Sequence, residues 1–257
     1  MYRAPLKDLR FNMHELIGES ALQACPAYAE FSLDLADAVL EEAGKFAETV
    51  LDPLYKSGDR DGARWTPDGV IGAPGFKAAY QQFVDGGWAS LRASPEHGGQ
   101  GVPYVIGTAV EELWAASNLS FKLCPMLTQG AVEAIEQYGT EEQKHLYLAK
   151  MVSGEWTGTM NLTEPQAGSD VGALKSKAEP NGDGSYAISG QKIYITWGDH
   201  DFGGNVCHLV LARLPDAVAG VKGISLFMVP KFLPNADGSL GEANSLKVVS
   251  LEHKMGI

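Results

Sequence analysis

The sequence predicts an α+β protein: an N-terminal all-α helical domain followed by an antiparallel β-barrel or sandwich-like domain. Three observations carry this. Up to Gly154 the apolar residues recur at spacings of three and four, the signature of amphipathic helices. Beyond Gly154 the period falls to two, and glycine-rich turns separate short β-rich runs. A chain of 257 residues, 45% of them hydrophobic and 20% charged, also has enough apolar side chain for a sizeable core in one large or two small domains. The expected boundaries are an extension over 1–33, a helical domain over 34–155 and a β domain over 156–257.

In the helical half, Leu35, Val39, Ala43, Phe46, Val50 and Leu54 are expected along one helix face. Pro74-Gly75 opens a second helix, with Phe76, Tyr80, Phe83 and Val84 on one face and Gly86-Gly87 closing it. A third helix runs from about Tyr104 to Ala116, with Ile106, Val110, Leu113 and Trp114 inward and Asn118 as its stop. A fourth covers about Leu127 to Tyr138 and ends at Gly139. The fifth starts at Thr140-Glu141-Glu142-Gln143, a capping box in which threonine and glutamine satisfy each other's backbone N–H groups. Acid in its first turn and Lys150 in its last suit the helix dipole, and Gly154 ends it.

Strands are expected over 156–163, 185–189, 191–197, 206–213, 223–229 and 245–251. Asn181-Gly182-Asp183-Gly184 signals a hairpin, because these residues tolerate the positive φ angles of a tight turn.

The formal net charge of −12 repels polyanions and argues against non-specific nucleic-acid or anionic-membrane binding. Cys25, Cys124 and Cys207 are odd in number and widely spaced, so no disulfide framework or zinc site is expected and a reducing compartment fits. No apolar run is long enough to span a bilayer, and Met1 to Asp8 lack the apolar core of a signal peptide, so a cytoplasmic location is expected.

The stretch richest in chemistry is Met160-Asn161-Leu162-Thr163-Glu164-Pro165-Gln166-Ala167-Gly168-Ser169-Asp170. A strand delivers Leu162 and Thr163, and Pro165 and Gly168 then force a tight loop that exposes N–H groups and hydroxyls, a cradle for an electron-rich ring edge. The same residues also fit a plain turn with an Asx or Ser cap. Further on, Gly190-Gln191-Lys192-Ile193-Tyr194-Ile195-Thr196 reads as a glycine turn feeding a strand, on which Tyr194 and Thr196 share a side.

These two motifs, in this order and spacing, resemble the acyl-CoA dehydrogenase family, whose pattern is a strand ending in TEPxAGSD followed by a G-x-K-x-aromatic-I-T strand. Tyr138 to Lys144 is similar to the helix that precedes the family's flavin strand, and Pro95-Glu96-His97-Gly98-Gly99-Gln100-Gly101 is similar to its glycine-rich loop. The opening Tyr2 to Phe11 resembles the subgroup that includes 3-methylmercaptopropionyl-CoA dehydrogenases.

The resemblance implies FAD as cofactor and Met160, Leu162, Thr163, Ser169, Tyr194, Ile195 and Thr196 as cofactor-binding residues. Thr163, with the backbone N–H groups beside it and Leu162, would bond the N1/O2 edge of the isoalloxazine, where negative charge accumulates on reduction. Thr196 would face N5 and O4. Tyr194, in place of a more frequent tryptophan, would pack on the ring. Ser169 would touch the CoA portion of the substrate or the cofactor phosphates, and Trp197 has no assigned role. By residue type alone, Thr163 and Thr196 equally fit ordinary strand threonines, Tyr194 a core aromatic and Ser169 a turn residue.

The implied reaction is α,β-dehydrogenation of an acyl-CoA thioester, with a carboxylate removing the α-proton and the β-hydrogen passing to flavin N5 as hydride. The resemblance also implies an electron acceptor, expected to be an electron-transfer flavoprotein, and a homo-oligomer. The family's base is a glutamate on a helical bundle that follows the β domain. Residues 1–257 hold no counterpart of that bundle, so this chain alone is expected to bind FAD weakly and to be inactive. Glu164 and Glu252 are not assigned as base. Two other readings are an alkylation-response flavoprotein of the same fold that binds DNA, which the −12 charge disfavours, and an inactive binding module.

The remaining polar and aromatic residues are expected to be structural. His97, His145, His200, His208 and His253 have no second ligand at metal spacing. Trp65, Trp88, Trp114 and Trp156 are expected in the core, Glu111 and Glu112 on a solvated helix face, and Lys175 and Lys177 facing water.

Overall fold

A computed structural model describes residues 1–254. The last three residues of the expected β domain, including its end at Ile257, lie outside the described residues. The chain opens with two short helices, α1 (Leu6–Phe11) and α2 (Glu19–Gln23), that sequence periodicity did not reveal. The helical layer proper is α3 (Leu33–Phe46), α4 (Asp52–Asp61), α5 (Phe76–Asp85), α6 (Tyr104–Tyr138) and α7 (Glu141–Val152).

A π-helical turn, Ala47–Leu51, joins α3 to α4. Pro53 stands in the first turn of α4, where its missing N–H leaves no helical bond broken. The buried stripe of α3 is Leu33, Ala36, Leu40, Ala43 and Phe46. Leu35 is exposed, and Val39, Val50 and Leu54 are only partly buried. The expected face thus holds at Ala43 and Phe46, while Leu33, Ala36 and Leu40 take the place of Leu35 and Val39 in the buried stripe.

The expected third and fourth helices are the two halves of α6, and Asn118 is the joint between them, with φ −157°. Its Oδ1 accepts the Phe121 N–H at 3.1 Å and the Ser120 hydroxyl at 2.8 Å. Its Nδ2 donates to the Leu51 carbonyl at 3.1 Å. One buried amide thus stops the first half, caps the second and ties both to α4's entry. The capping box of α7 forms as expected, with both reciprocal bonds present.

The β half contains a mixed sheet of β3 (Trp156–Asn161), β6 (Asn205–Ala212) and β7 (Ser225–Pro230). The pair β3–β6 is parallel and β6–β7 antiparallel, so the sheet is not antiparallel throughout. A parallel pair needs a long crossover, and the segment 162–204 supplies it. Three two-stranded ribbons complete the strands: β1 (Arg64–Thr66) with β2 (Gly69–Ile71), β4 (Lys177–Pro180) with β5 (Tyr186–Ser189), and β8 (Phe232–Pro234) with β9 (Leu240–Ala243). The β4–β5 turn falls at the expected Asn181–Gly184, where Asp183 accepts the Ser185 N–H at 2.9 Å.

One face of the mixed sheet packs on α6 and α7 through Trp156, Cys207 and Leu209. A separate aromatic core, with Phe83, Trp88 and Trp114 stacked edge to face, lies inside the helical layer. Trp65 is not in a core: it is 43% exposed, and its indole N–H donates to the Val248 carbonyl at 2.8 Å.

Two expected strands, 191–197 and 245–251, are absent as strands. For the first the reason is tertiary. Trp197 leaves the β layer, stacks on Phe76 at 6.2 Å and donates its indole N–H to the Ser120 carbonyl at 2.8 Å. Phe202 follows it onto Tyr80 at 5.6 Å. Burial of these aromatics against the helical layer overrides local β propensity.

Candidate functional site

The segment 160–198 folds back on itself beside the end of β3. After Asn161 the chain leaves the ladder and turns at Pro165-Gln166. Reciprocal bonds between Glu164 and Ala167 close the turn, at 3.0 and 2.9 Å. The second motif then lies alongside the first. Ile193 donates its N–H to the Thr163 carbonyl at 3.0 Å, and the Thr159 hydroxyl donates to the Thr196 carbonyl at 2.8 Å.

A clamp that sequence reasoning left unassigned fixes this arrangement. Glu164 is buried and accepts the Lys175 N–H at 2.6 Å, the Ser176 N–H at 3.0 Å, the Gln166 amide at 2.6 Å and the Lys192 ammonium at 2.9 Å. Burial acts to raise its pKa, but the bonds from Ser176, Lys175 and Lys192 outweigh burial and hold the carboxyl at about 2. Lys192 also donates to the Leu162 carbonyl at 3.1 Å, so one ammonium joins both motifs. Both partners stand in the two motifs, but their pairing across 28 residues follows no local pattern.

The structure sets the two motifs side by side, with Thr163 against Ile193 and Thr196 against Thr159; Ile195 and Thr196 line the adjoining cleft, whereas Leu162 and Thr163 are not among its lining residues. Among the described residues, neither the Thr163 nor the Thr196 hydroxyl enters a hydrogen bond within the protein. The expected strand geometry for Tyr194 and Thr196 does not hold. Tyr194 and Trp197 adopt positive φ, 59° and 52°, and Thr196 sits on an arch between them. Tyr194 is 48% exposed, and the Lys254 ammonium lies over its ring at 4.2 Å. Met160 turns its side chain into the helix-side core, and Ser169 is exposed.

Tyr194, Ile195 and Thr196 line a cleft of about 2150 Å³ whose floor includes Asn161, His208, Val210 and Phe227. His200, behind the arch, is fully used. The Phe202 N–H donates to its Nδ1 at 3.2 Å, which leaves Nε2–H to donate to the Thr157 hydroxyl at 2.8 Å. Burial lowers its pKa to about 4. Flanking Asp199 accepts the Val70 N–H at 3.1 Å and the Lys231 ammonium at 2.6 Å, while Asp201 accepts the Gly72 N–H at 2.9 Å. Two acids thus pin β2 of the helical half to the arch.

Glu111 is not on a solvated face. It pairs with Arg92 at 3.1 Å and Lys122 at 3.3 Å, all three side chains largely buried. Glu112, Lys175 and Lys177 are exposed, as expected. The three cysteines are free. Among the described residues, no cluster of His, Cys, Asp and Glu can hold a metal ion, and no helix is long and apolar enough to cross a membrane.

A helical layer joined to a β layer, with two loop motifs clamped at the sheet end beside a cleft, defines an α+β protein. Residues 34–155 match the sequence profile "Acyl-CoA dehydrogenase, N-terminal domain" and residues 159–257 the profile "Acyl-CoA dehydrogenase, middle domain". The chain belongs to the acyl-CoA dehydrogenase family. It is 49% identical to 3-methylmercaptopropionyl-CoA dehydrogenase of Ruegeria pomeroyi, over 100% of this chain and 44% of that protein. To a butyryl-CoA dehydrogenase of Syntrophomonas wolfei it is 38% identical, over 100% of this chain and 43% of that protein. The solved butyryl-CoA dehydrogenase of Megasphaera elsdenii superposes with a TM-score of 0.63 at 25% identity, covering 78% of this chain and 49% of that one. The chain therefore spans less than half the length of these relatives.

Proposed function

We propose that this chain supplies the flavin-side wall of an FAD-dependent acyl-CoA dehydrogenase. The observation that carries the reading is the pair Thr163 and Thr196, one on each of the two adjoining motifs: their carbonyls are tied down at 3.0 and 2.8 Å while, among the described residues, both hydroxyls stay uncommitted. Such a donor pair fits the rim of an isoalloxazine. Bound FAD would accept the β-hydrogen of the acyl thioester as hydride.

This chain's part is to hold the ring. Thr163 would donate to the N1/O2 edge, where its hydroxyl dipole stabilises the negative charge of the reduced state, and Thr196 to the N5/O4 edge. The Glu164–Lys192 clamp would keep the two donors at a fixed separation, so that no reorganisation is needed as charge develops. Met160, Leu162 and Ile195 would support the edge from behind. Tyr194 would cover the ring once Lys254 leaves its face, and Ser169 would meet the phosphates of cofactor or substrate.

Glu164 is unsuited to removing the α-proton, because four donors surround it and hold it ionised down to about pH 2. The base is assigned to the part of the relatives' length that this chain does not span. Acyl-CoA as substrate, an electron-transfer flavoprotein as acceptor and a homo-oligomeric assembly belong to the same proposal.

The test is an FAD titration of the 257-residue chain followed by flavin fluorescence. Wild type should bind weakly and without acyl-CoA turnover. Thr163→Val and Thr196→Val should each weaken binding by about tenfold, the worth of one hydrogen bond to a partly charged acceptor. Unchanged affinity in both variants would sink the flavin edge, and turnover of an acyl-CoA would place the base inside these residues.

A further inference from the structure

The sheet face that turns away from the helices carries two polar groups that the fold leaves alone. His208 is 3% exposed, and among the described residues neither Nδ1 nor Nε2 has a hydrogen-bond partner. The buried Oδ1 of Asn161 likewise has no partner among the described residues. Both residues line the cleft that Tyr194, Ile195 and Thr196 line from the other side.

The two groups are neighbours by register. His208 on β6 is the Cα partner of Thr159 on β3, and Asn161 stands two residues further along the same strand and on the same face. The Thr159 hydroxyl is the group that fixes the Thr196 carbonyl at 2.8 Å. His208 thus lies one strand away from the residue on which Thr196 rests.

The contrast with His200 is informative. That imidazole is also buried, at 4% exposure, yet both of its nitrogens are engaged. A buried imidazole without partners costs folding stability, as does a buried amide oxygen. A cost of this kind is recovered when a ligand supplies the missing bonds.

We propose that His208 and Asn161 form a ligand-binding pair that recognises a heteroaromatic ring edge carrying a hydrogen-bond donor beside an acceptor. A neutral imidazole offers one N–H and one lone pair, and Asn161 Oδ1 adds a second acceptor. Val210 and Phe227 give the same floor an apolar surface for a flat ring. The isoalloxazine of a flavin and the adenine of a nucleotide both present such an edge. The isoalloxazine arm rests on the flavin reading above; the adenine arm does not.

The experiment uses the 257-residue chain, His208→Leu and His208→Gln, with Thr196→Val alongside. Riboflavin 5′-phosphate carries the isoalloxazine without adenine, and adenosine 5′-diphosphate the reverse, so each is titrated separately, and the melting temperature of the ligand-free protein is measured.

The pair predicts that His208→Leu raises the ligand-free melting temperature by about 3 °C, because an unpaired polar group leaves the interior. It also predicts that this variant binds one of the two probes about tenfold more weakly, with His208→Gln between. A lower melting temperature with both affinities unchanged identifies a structural histidine and overturns the proposal. So does failure of the wild type to bind either probe. If the flavin probe responds to His208→Leu but not to Thr196→Val, the pair stands and the Thr196 edge falls. If adenosine diphosphate alone responds to His208→Leu, the pair holds adenine and the flavin edge is judged by Thr196→Val alone.

Discussion

Glu164→Gln removes the charge at the centre of the clamp while keeping its shape. In the folded chain the carboxyl sits at about 2 against an ordinary 4.5. A depression of that size corresponds to about 3 kcal/mol of folding free energy at neutral pH. Because the folded-state pKa is the lower one, this stability is complete above 4.5 and is lost as the pH falls toward 2. Losing a buried partner of Lys192 points to a similar figure, about 3 to 5 kcal/mol. Urea unfolding at pH 7 and pH 3.5, followed by circular dichroism, measures the difference between wild type and variant. The gap should be about 3 kcal/mol at pH 7 and narrow to about 2 kcal/mol at pH 3.5, where part of the linkage is already lost. A gap below about 1 kcal/mol at neutral pH, or one that does not narrow, would refute the reasoning. Since Lys192 also holds the Leu162 carbonyl, Glu164→Gln should weaken FAD binding in parallel.

Other perturbations follow from the same contacts. Asn118→Ala removes the cap on the second half of α6 and leaves the Leu51 carbonyl without its donor, for a loss of about 2 kcal/mol in urea unfolding. Gly190→Ala drives a Cβ into the Ser176 side chain and to 2.9 Å from its Cα, at φ +149°. It should cost more than about 2 kcal/mol and displace Lys192, whereas Gly182→Ala, at φ +90° but in open space, should cost only about 1 kcal/mol. His200 and His208 are both lowered by burial to about 4. The unfolded chain therefore binds protons the folded one refuses, and stability should fall as pH drops from 6.5 toward 4. His200→Asn should flatten that slope in pH-dependent melting.

What the sequence revealed was local. Thr140 and Gln143 are three residues apart and their side chains bond each other's backbone N–H groups, so their box was readable without a fold. Ile106, Val110, Leu113 and Trp114 were readable because large side chains marked the stripe. On α3 Ala43 and Phe46 were read correctly, but at the start of the helix the buried row runs through Leu33 and Ala36, and the conspicuous Leu35 drew the expected face aside there. The turn after Thr163 was legible from Pro165, but the Glu164–Lys192 bond joins residues 28 apart in sequence and no periodicity encodes it. Asn161 and His208 became neighbours only through a parallel pairing whose crossover sequence analysis did not foresee.

The failed strand at 191–197 shows why the site resisted prediction. Ile193, Tyr194, Ile195 and Thr196 have strand propensities, yet the segment ends in an aromatic that finds better burial elsewhere. Holding Tyr194 and Trp197 at positive φ costs about 1 to 2 kcal/mol per residue. The Trp197 stack on Phe76 and its bond to Ser120 offset that cost from outside the β layer. The consequence is an arch instead of a strand. In a strand the Thr196 carbonyl would join a ladder; on the arch a single hydroxyl, that of Thr159, holds it. The hydroxyl proposed to meet the flavin is thus exposed because the adjacent Trp197, stacked on Phe76 of α5, pulls the chain out of the sheet.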